Sequence, residues 1–503
     1  MNLNKPSQGL SFKYVKDDIP AGLVVFFVAL PLCLGIALAS GAPLFSGIIA
    51  GIVGGIVVAY FSGSALSVSG PAAGLTVIVL NGINDVGSFE ILLLAVVLAG
   101  VLQMILGYFK AGIIGYYFPS SVIKGMLAAI GIILILKQAP IAIGYSKQLN
   151  ITYHLGAIII AAISLGILLI WEIPRVKKYV FFKWVPGALV AVVFGVILNE
   201  LFKILNPALV LENSNLVNLP VAKTANDFFH QFTLPDFSAF NNYQVYLLAI
   251  TIAIIASLET LLSIEAADKL DPYKRLTPTS KELTAQGLGN IISGMLGGLP
   301  LTAVIVRSSA NINAGGKTKL SAITHGIFLL ISVIALSTLL NKIPLACLAA
   351  VLLVVGYKLT KVALYKQMWK LGWEQFLPFI VTIVAIQFSD LLKGITLGVT
   401  FSIFFILRSN HRRDYTIHHE KLELGGHVHI KLAENVTFIN KGSIARKLAD
   451  LPNDSKVKID GSGSHFIDID VLEIIHDFTI AAKLKNIEVE LFHIPAFVGV
   501  SAH

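Results

Sequence analysis

The chain contains 503 residues, of which 55% are hydrophobic and only 13% charged, and its mean hydropathy is +0.79. This charged fraction is about half that of average soluble domains, which excludes a purely soluble protein. We attribute the formal net charge of +9 to loop lysines and arginines that set membrane topology. A nucleic-acid partner is not expected, because the sequence contains no soluble basic domain.

Apolar runs recur along most of the sequence, and many approach or exceed the roughly 18–20 residues that a membrane-spanning helix needs. After a polar N-terminal segment, 1–18, the pattern predicts a transmembrane domain over 19–408. Its first repeat covers 19–202 and its second 244–408, which makes about fourteen spans in a polytopic helical membrane protein. The runs lie at about 19–40, 43–61, 68–81, 90–109, 119–139, 151–172, 186–202, 244–264, 284–297, 301–314, 320–340, 344–364, 373–389 and 391–408.

The two halves of this domain match in the spacing of their prolines. About 229 residues separate Pro71 from Pro300, and about 225 separate Pro119 from Pro344, as expected for an internal repeat. An odd number of spans in each repeat gives the two copies opposite orientations in the membrane. The sequence therefore predicts an inverted repeat of seven plus seven spans.

A segment containing Gly and Pro precedes a short apolar run in each half, at Ser69-Gly70-Pro71 and at Gly297-Gly298-Leu299-Pro300. Paired interruptions of this kind indicate the binding site of a secondary transporter. The N-terminus of each half-helix would direct free N–H groups and partial positive charge at a small anion. The alternative is a pair of re-entrant loops with only a structural role. On the first interpretation the anion is bound by Pro71, Ala72, Ala73, Gly74, Leu75, Pro300, Leu301, Thr302 and Ala303.

Short loops rich in Lys and Arg indicate the cytoplasmic side of a membrane protein. With fourteen spans, the loop that contains Lys358, Lys361, Lys366 and Lys370 faces the same side as the N-terminus. The connector between the repeats, about 202–242, faces the other side and is poor in Lys and Arg. We therefore predict that both termini are cytoplasmic and that the protein crosses a bacterial-type inner (plasma) membrane many times.

The eighth apolar run contains an acidic residue, Glu259, with Ser263 four residues later. An acid inside a membrane span is costly and indicates a functional site. Residues four apart share one helix face, so both side chains could line the substrate cavity. Burial favours the neutral carboxyl, which would let Glu259 carry a coupling proton. Alternatively, Glu259 and Ser263 bind Na⁺ together with backbone carbonyls, or Glu259 is protonated and only bonds a neighbouring helix.

Arg307 lies shortly after Thr302 in the second half-helix. Its guanidinium would supply positive field for an anion or pair with Glu259, or it would point away and anchor the helix at the interface. The sequence contains no Ser/His/Asp triad, zinc-ligand spacing or Walker motif, so an enzyme is not predicted. Apart from a possible Na⁺ coupling ion, no cofactor is expected.

The pattern of apolar residues changes over 409–503. Alternating apolar residues predict strands at 427–432, 457–460 and 488–493, and helical patterns cover 442–451 and 470–484. Strands that alternate with helices indicate a small α/β domain, which we place on the cytoplasmic side.

Taken together, these motifs resemble the SulP sulfate-permease family of anion transporters over nearly the whole chain. Each motif is weak alone, whereas the combination is highly specific. Those that carry the resemblance are Val28-Ala29-Leu30-Pro31-Leu32, Ser69-Gly70-Pro71, Gln286-Gly287-Leu288-Gly289-Asn290, Gly297-Gly298-Leu299-Pro300, and Arg307 and Asn311 leading into Ala314-Gly315-Gly316-Lys317-Thr318-Lys319-Leu320-Ser321.

The resemblance implies a fold shared with nucleobase–cation symporters, in which spans one to four and eight to eleven form a core that moves against a gate like an elevator. It also implies a cytoplasmic STAS domain. A nearby branch of the family contains Na⁺-coupled bicarbonate transporters, in which the positions of Glu259 and Ser263 belong to the cation site. Glu259 stands where those members carry Asp, and the longer side chain leaves proton coupling at least as plausible.

The tail differs from soluble STAS proteins at the turn that carries their phosphorylatable serine. Aligned on Phe466-Ile467-Asp468, the serine position holds Ile469. A phosphorylation switch is therefore not expected, and we predict that the tail docks protomers into a homodimer.

We predict a secondary active transporter of a small inorganic anion, with sulfate the family default and bicarbonate a close rival, coupled to H⁺ or Na⁺. The alternatives are a nucleobase or dicarboxylate carrier on the same fold, and a membrane anion sensor that signals through the STAS tail.

Overall fold

The computed structural model describes residues 9–112, 119–145, 153–176, 179, 182, 185–221, 231–389, 391–411, 415–420, 427–437 and 440–496. The predicted N-terminal segment and tail therefore lie partly outside the described residues. The chain forms two compact units, Met1–Leu397 and Gly398–His503.

The helices follow one another in the order of the predicted apolar runs. Among the described residues, nine stretches are long and apolar enough to cross a membrane. The predicted polytopic helical membrane fold is confirmed. The helices are α1 (Val15–Ala39), α2 (Leu44–Val53), α3 (Thr76–Val86), α4 (Phe89–Tyr108), α5 (Ser120–Ala142), α6 (Leu155–Glu172), α7 (Gly187–Leu205), α8 (Tyr243–Leu270), α9 (Thr279–Met295), α10 (Ile305–Asn313), α11 (Leu320–Leu340), α12 (Leu345–Leu359), α13 (Val362–Lys370), α14 (Trp373–Phe388) and α15 (Leu391–His411).

The helices that follow the two Gly- and Pro-containing segments are too short to cross a bilayer alone. Helix α3 has 11 residues and α10 has nine, so at 1.5 Å per residue they are only about 16 and 14 Å long. A three-residue strand precedes each one: β1 (Ser69–Pro71) and β2 (Leu301–Ala303). The Gly- and Pro-containing segments thus interrupt the membrane helices, as their composition predicts.

Within the first unit the helices pack as two groups. Helix α4 packs extensively against α8 and α9, and α1 packs against α11. In the other group α5 packs against α12 and α14, and α6 packs against α7. The groups meet along an apolar cluster on α1, α6, α7 and α12, formed by Leu32, Leu168, Ala191, Ala350 and Val351.

The start of α1 is attached to the loop between α10 and α11. Asp18 is fully buried, and its carboxylate accepts hydrogen bonds from the backbone N–H groups of Lys317 (2.7 Å) and Thr318 (3.0 Å) and from the Thr318 hydroxyl (2.5 Å). Three donors on one carboxylate compensate the desolvation of the charge. The Lys317-Thr318 stretch thus fixes the end of the first span.

Beyond α15, the described residues of the second unit form a four-stranded mixed sheet and the helices α16 (Lys441–Ala449) and α17 (Ile469–Ala482). The sheet order is β3-β4-β6-β8; β3 is antiparallel to β4, whereas β4, β6 and β8 are parallel, and a separate pair joins β5 and β7. This confirms an α/β tail compatible with a STAS domain. The strands are β3 (Tyr415–Glu420), β4 (His427–Leu432), β5 (Asn435–Val436), β6 (Lys456–Asp460), β7 (Phe466–Ile467) and β8 (Glu488–Phe492).

Candidate functional site

The two interrupted segments meet as a short antiparallel sheet. Strands β1 and β2 pair with Gly70 opposite Thr302, and the Val304 N–H donates to the Val68 carbonyl at 3.0 Å. Because α3 and α10 each start a few residues beyond these strands, the N-terminal ends of both short helices are brought to one place. This is the arrangement that an inverted repeat produces at a pseudo-twofold axis.

Neither helix start has a side-chain cap. A 3₁₀ turn over Ala73–Leu75 leads into α3, and its N-cap, Ala72, has no side chain that could accept an N–H. Helix α10 has Val304 as N-cap, again without a side-chain hydrogen bond. Uncapped first-turn N–H groups and the helix dipole together favour an anion at each end.

The structure corrects one part of the predicted anion site. Leu301, Thr302 and Ala303 form strand β2 and not the first turn of a half-helix, because the backbone here pairs with β1. Their N–H groups are also occupied at the outer edge of the strand: Leu301 donates to Asn290 Oδ1 (2.7 Å) and Ala303 to Thr260 Oγ1 (3.3 Å). The free donors of the second repeat therefore belong to the turn that begins at Ile305.

Glu259 lies on α8 with its carboxylate against the backbone of the first repeat. A Cβ placed on Gly74 would be 2.5 Å from Glu259 Oε2 and 2.8 Å from Oε1, so any larger residue at this position would displace the carboxylate. Glu259 Oε2 is buried and has no hydrogen-bond partner. A buried carboxylate oxygen that lacks a partner is free to take a proton or a cation.

Ser263 lies one helical turn beyond Glu259 on α8 and is buried, with 7% of its surface exposed. Between them Thr260 supports β2 through the bond from the Ala303 N–H. Thr302 itself is fully buried, and its hydroxyl donates to the Ala303 carbonyl at 3.0 Å. The donor of Thr302 is thus used inside the strand and is not directed at a substrate.

Arg307 is the largest of the fully buried side chains. Its Nη2 lies 3.4 Å from Cys33 Sγ and 3.5 Å from the Pro71 carbonyl oxygen, whereas Nε and Nη1 have no hydrogen-bond partner. A Cβ on Gly70 would be 2.0 Å from Nη1. Among the described residues no carboxylate pairs with Arg307, and the predicted alternative of a Glu259–Arg307 pair is absent there. A buried guanidinium without a counterion leaves a local positive field at β1.

Three buried amide side chains, those of Gln103, Gln286 and Asn290, support the strand pair. The sequence did not predict this role for them. Asn290 Nδ2 donates to the Leu301 carbonyl (3.1 Å) and to Gln103 Oε1 (2.7 Å). Gln286 Nε2 donates to Ser69 Oγ at 2.7 Å. Gln286 and Asn290 are four residues apart in α9, so the two amides share one helix face, and this spacing was the signal that could have identified them.

The described residues also line a cavity of about 520 Å³ at the end of α8 that precedes α9. Its polar lining is engaged internally: Asp268 accepts from the N–H and the hydroxyl of Thr277, both at 2.7 Å, and Glu265 pairs with Lys269 at 2.5 Å. Glu265 and Asp268 thus lie in the last turns of α8 with their carboxylates already engaged.

A helical membrane protein with two interrupted helices that meet head to head, and with charged side chains beside them, has the architecture of a secondary transporter. The model of the Sulfate permease family matches residues 15–382. The chain belongs to this family, and the predicted family resemblance is confirmed.

Curated relatives include transporters of two anions. The chain is 27% identical over 409 residues to the bicarbonate transporter BicA of Picosynechococcus, covering 78% of this chain and 70% of the relative. It is 25% identical to the chloroplastic sulfate transporter 4.1 of Arabidopsis thaliana, covering 79% of this chain and 59% of that protein.

The fold is similar to a solved structure of the murine Solute Carrier 26 family member A9 anion transporter in the inward-facing state. The TM-score is 0.80 at 17% identity, with 97% of this chain and 87% of that chain covered. This match supports the fold alone, and it extends across both the helical unit and the α/β tail.

Proposed function

We propose that the chain is a secondary active transporter that carries a small inorganic anion, sulfate or bicarbonate, together with H⁺ or Na⁺. The observation that carries this proposal is the meeting of the two uncapped helix starts at β1 and β2, with Arg307 against Gly70 of β1 and Glu259 against Gly74 in the turn that follows. The anion would lie between the N-termini of α3 and α10, contacted by 71–75 and by the turn after 300–303.

Arg307 supplies the positive field in this proposal. Its two unpartnered nitrogens and the helix dipoles act together in a buried site where electrostatic interactions are strong. Because Arg307 has no carboxylate partner among the described residues, its charge is available to attract a substrate. A neutral nucleobase would gain little from this arrangement, which favours an anion.

Glu259 and Ser263 form the coupling site. The free Oε2 of Glu259 accepts a proton, or with Ser263 and nearby carbonyl oxygens it binds Na⁺. In either case the cation neutralises a carboxylate that lies beside the anion path, so the anion binds better when the cation is present. That mutual dependence is what symport requires.

The movement we propose is of elevator type. Helices α1–α4 and α8–α11 would move as a core that contains the binding site, against a gate of α5–α7 and α12–α15. Packing is most extensive inside each group, and the cluster between the groups is apolar. An apolar interface has no hydrogen bonds to break when it slides.

We further propose that the protein lies in a bacterial-type inner membrane with both termini in the cytoplasm, that 409–503 is a STAS domain, and that the tail joins two chains as a homodimer. The Lys- and Arg-rich loops support the orientation.

Uptake into proteoliposomes tests the proposal. Labelled sulfate and labelled bicarbonate are supplied separately, under an imposed pH gradient or a Na⁺ gradient. We expect one anion to accumulate under one of the gradients. Sulfate uptake driven by protons supports Glu259 as a proton carrier, and bicarbonate uptake driven by Na⁺ supports a sodium site at Glu259 and Ser263. Absence of flux for both anions under both gradients contradicts the proposal.

A further inference from the structure

Helix α13 lies between α12 and α14 in the chain and is attached to the protein by one side only. Met368 is its fully buried side chain, with 1% exposed. Next to it the Tyr365 ring packs on Phe379 with centroids 5.2 Å apart, and the Tyr365 hydroxyl bonds Thr360 at 2.8 Å. The helix is therefore held firmly while its other side faces outward.

The outward side combines aromatic and apolar residues. Trp369 is 55% exposed and Trp373 60% exposed, and the two rings lie 5.0 Å apart in a cluster with Phe376. Val362 and Leu371 are exposed as well. Exposed tryptophans at the end of a membrane helix are typical of the headgroup level of the bilayer, because the indole has an apolar body and a polar N–H.

Three lysines lie among these residues: Lys361, Lys366 and Lys370, all exposed. Among the described residues none of them has a carboxylate within 4.0 Å, whereas neighbouring Lys358 pairs with Glu172 at 2.5 Å. Glu374, at the start of α14, is exposed and does not pair with them. The surface therefore has uncompensated positive charge beside exposed indole rings.

We propose that Lys361, Lys366, Trp369, Lys370 and Trp373, here called the basic–aromatic surface, bind the headgroups of anionic phospholipids in the surrounding bilayer. The lysines match the negative headgroup, and the indoles insert at the boundary between headgroups and acyl chains. A loop that only sets topology needs lysines but not the exposed indole pair. This inference does not depend on the identity of the transported anion.

Tryptophan fluorescence can test the proposal directly. The sequence contains four tryptophans, so replacing Trp171 and Trp184 by Phe leaves Trp369 and Trp373 as reporters. The full chain is reconstituted into vesicles that contain, at equal mole fraction, brominated phosphatidylglycerol or brominated phosphatidylcholine. We expect phosphatidylglycerol to be preferred at the reporters by roughly fivefold for a headgroup that meets one lysine.

The triple variant Lys361→Gln, Lys366→Gln, Lys370→Gln should lose this preference, and the triple Lys→Arg variant should keep it. Lys203→Gln with Lys342→Gln is the matched control, because these lysines are also exposed but both contact Glu200. The control should leave quenching unchanged.

Equal quenching by the two lipids in the parent protein overturns the proposal, as does a preference that survives the triple Gln change. If the triple Gln variant fails to insert into the vesicles, salt titration of the parent protein tests the proposal instead. The preference should fall as ionic strength rises, because exposed charges are screened. A preference that does not respond to salt contradicts headgroup binding by the lysines.

Discussion

The two repeats contribute differently to the site that they form together. The first repeat contributes backbone: β1, the uncapped start of α3, and two glycines, Gly70 and Gly74, at which an added Cβ would displace a charged side chain. The second repeat contributes charge: Arg307 occupies the space beside Gly70, and Glu259 occupies the space beside Gly74. Both charged side chains thus converge from the second repeat on one short segment of the first.

The corresponding positions of the first repeat have no such charges. At the spacing between Pro71 and Pro300, Glu259 corresponds to Leu30 and Arg307 to Ile78, both apolar. The symmetry of the fold therefore holds for the backbone but not for the chemistry. Both halves supply a short helix start, and the charged side chains beside them, Glu259 and Arg307, come from the second half alone.

The largest effect on uptake is expected when the carboxylate that only the second repeat contributes is removed. Glu259→Gln keeps the size of the side chain but removes its charge and its ability to release a proton. We expect gradient-driven uptake in proteoliposomes to fall to the level of empty liposomes, with a normal size-exclusion profile. Glu265→Gln on the same helix is the control and should retain uptake, since Glu265 only pairs with Lys269. Unchanged uptake in the Glu259 variant rules out the coupling role.

The two glycines allow the roles of the charges to be separated. Gly74→Ala forces the Glu259 carboxylate to shift from a 2.5 Å contact, and Gly70→Ala does the same to Arg307 at 2.0 Å. We expect Gly74→Ala to raise the cation concentration for half-maximal uptake, and Gly70→Ala to raise the anion KM. Each increase should be about tenfold, which corresponds to about 1.4 kcal/mol.

Uptake measured over a matrix of anion and cation concentrations checks this assignment. The control is Gly315→Ala, since a Cβ added at Gly315 would meet no atom within 4 Å but the residue has a positive φ of 90°, so it reports backbone strain without a charged neighbour. Equal changes in both constants for both variants would show that the glycines act only on packing.

The smallest effect concerns the support of β2. Asn290→Ala removes the side chain that bonds both the N–H and the carbonyl of Leu301. Leaving these buried groups without partners should cost about 2 kcal/mol of stability. Thermal unfolding in detergent should therefore begin at lower temperature, and uptake should fall less than in the Glu259 variant. Asn84→Ala is the exposed control, because Asn84 bonds only the Leu80 carbonyl.

Much of the fold was predictable because bilayer physics imposes strong patterns on sequence. Apolar runs of sufficient length located the helices, and the Pro71–Pro300 spacing revealed the repeat. The three strands and two helices predicted in the tail agree with the structure to within a few residues: α17, for example, covers Ile469–Ala482 where the pattern indicates 470–484. Strands β3, β5 and β7 were not predicted.

The local structure of 301–303 was not predictable from its own residues. A run that contains Leu, Ala, Val and Ile after Pro300 is compatible with helix or strand. The segment is a strand because β1, Asn290 and Thr260 are present to bond its backbone, and all three are remote in sequence. The support of the strand pair by Gln103, Gln286 and Asn290 was not predictable for the same reason. An amide in a membrane helix does not indicate which distant segment it will hydrogen-bond.

The sequence by itself determined that this is a polytopic helical membrane protein with an internal repeat, a small α/β tail and the motifs of the sulfate permease family. These features follow from periodicity, run length and spacing, which are local properties. Only the tertiary structure decided that Glu259 and Arg307 both contact one glycine-containing segment, and that they do so at Gly74 and Gly70 and not with each other. Which backbone a buried charge meets depends on how distant helices pack, and no property of a single segment encodes that.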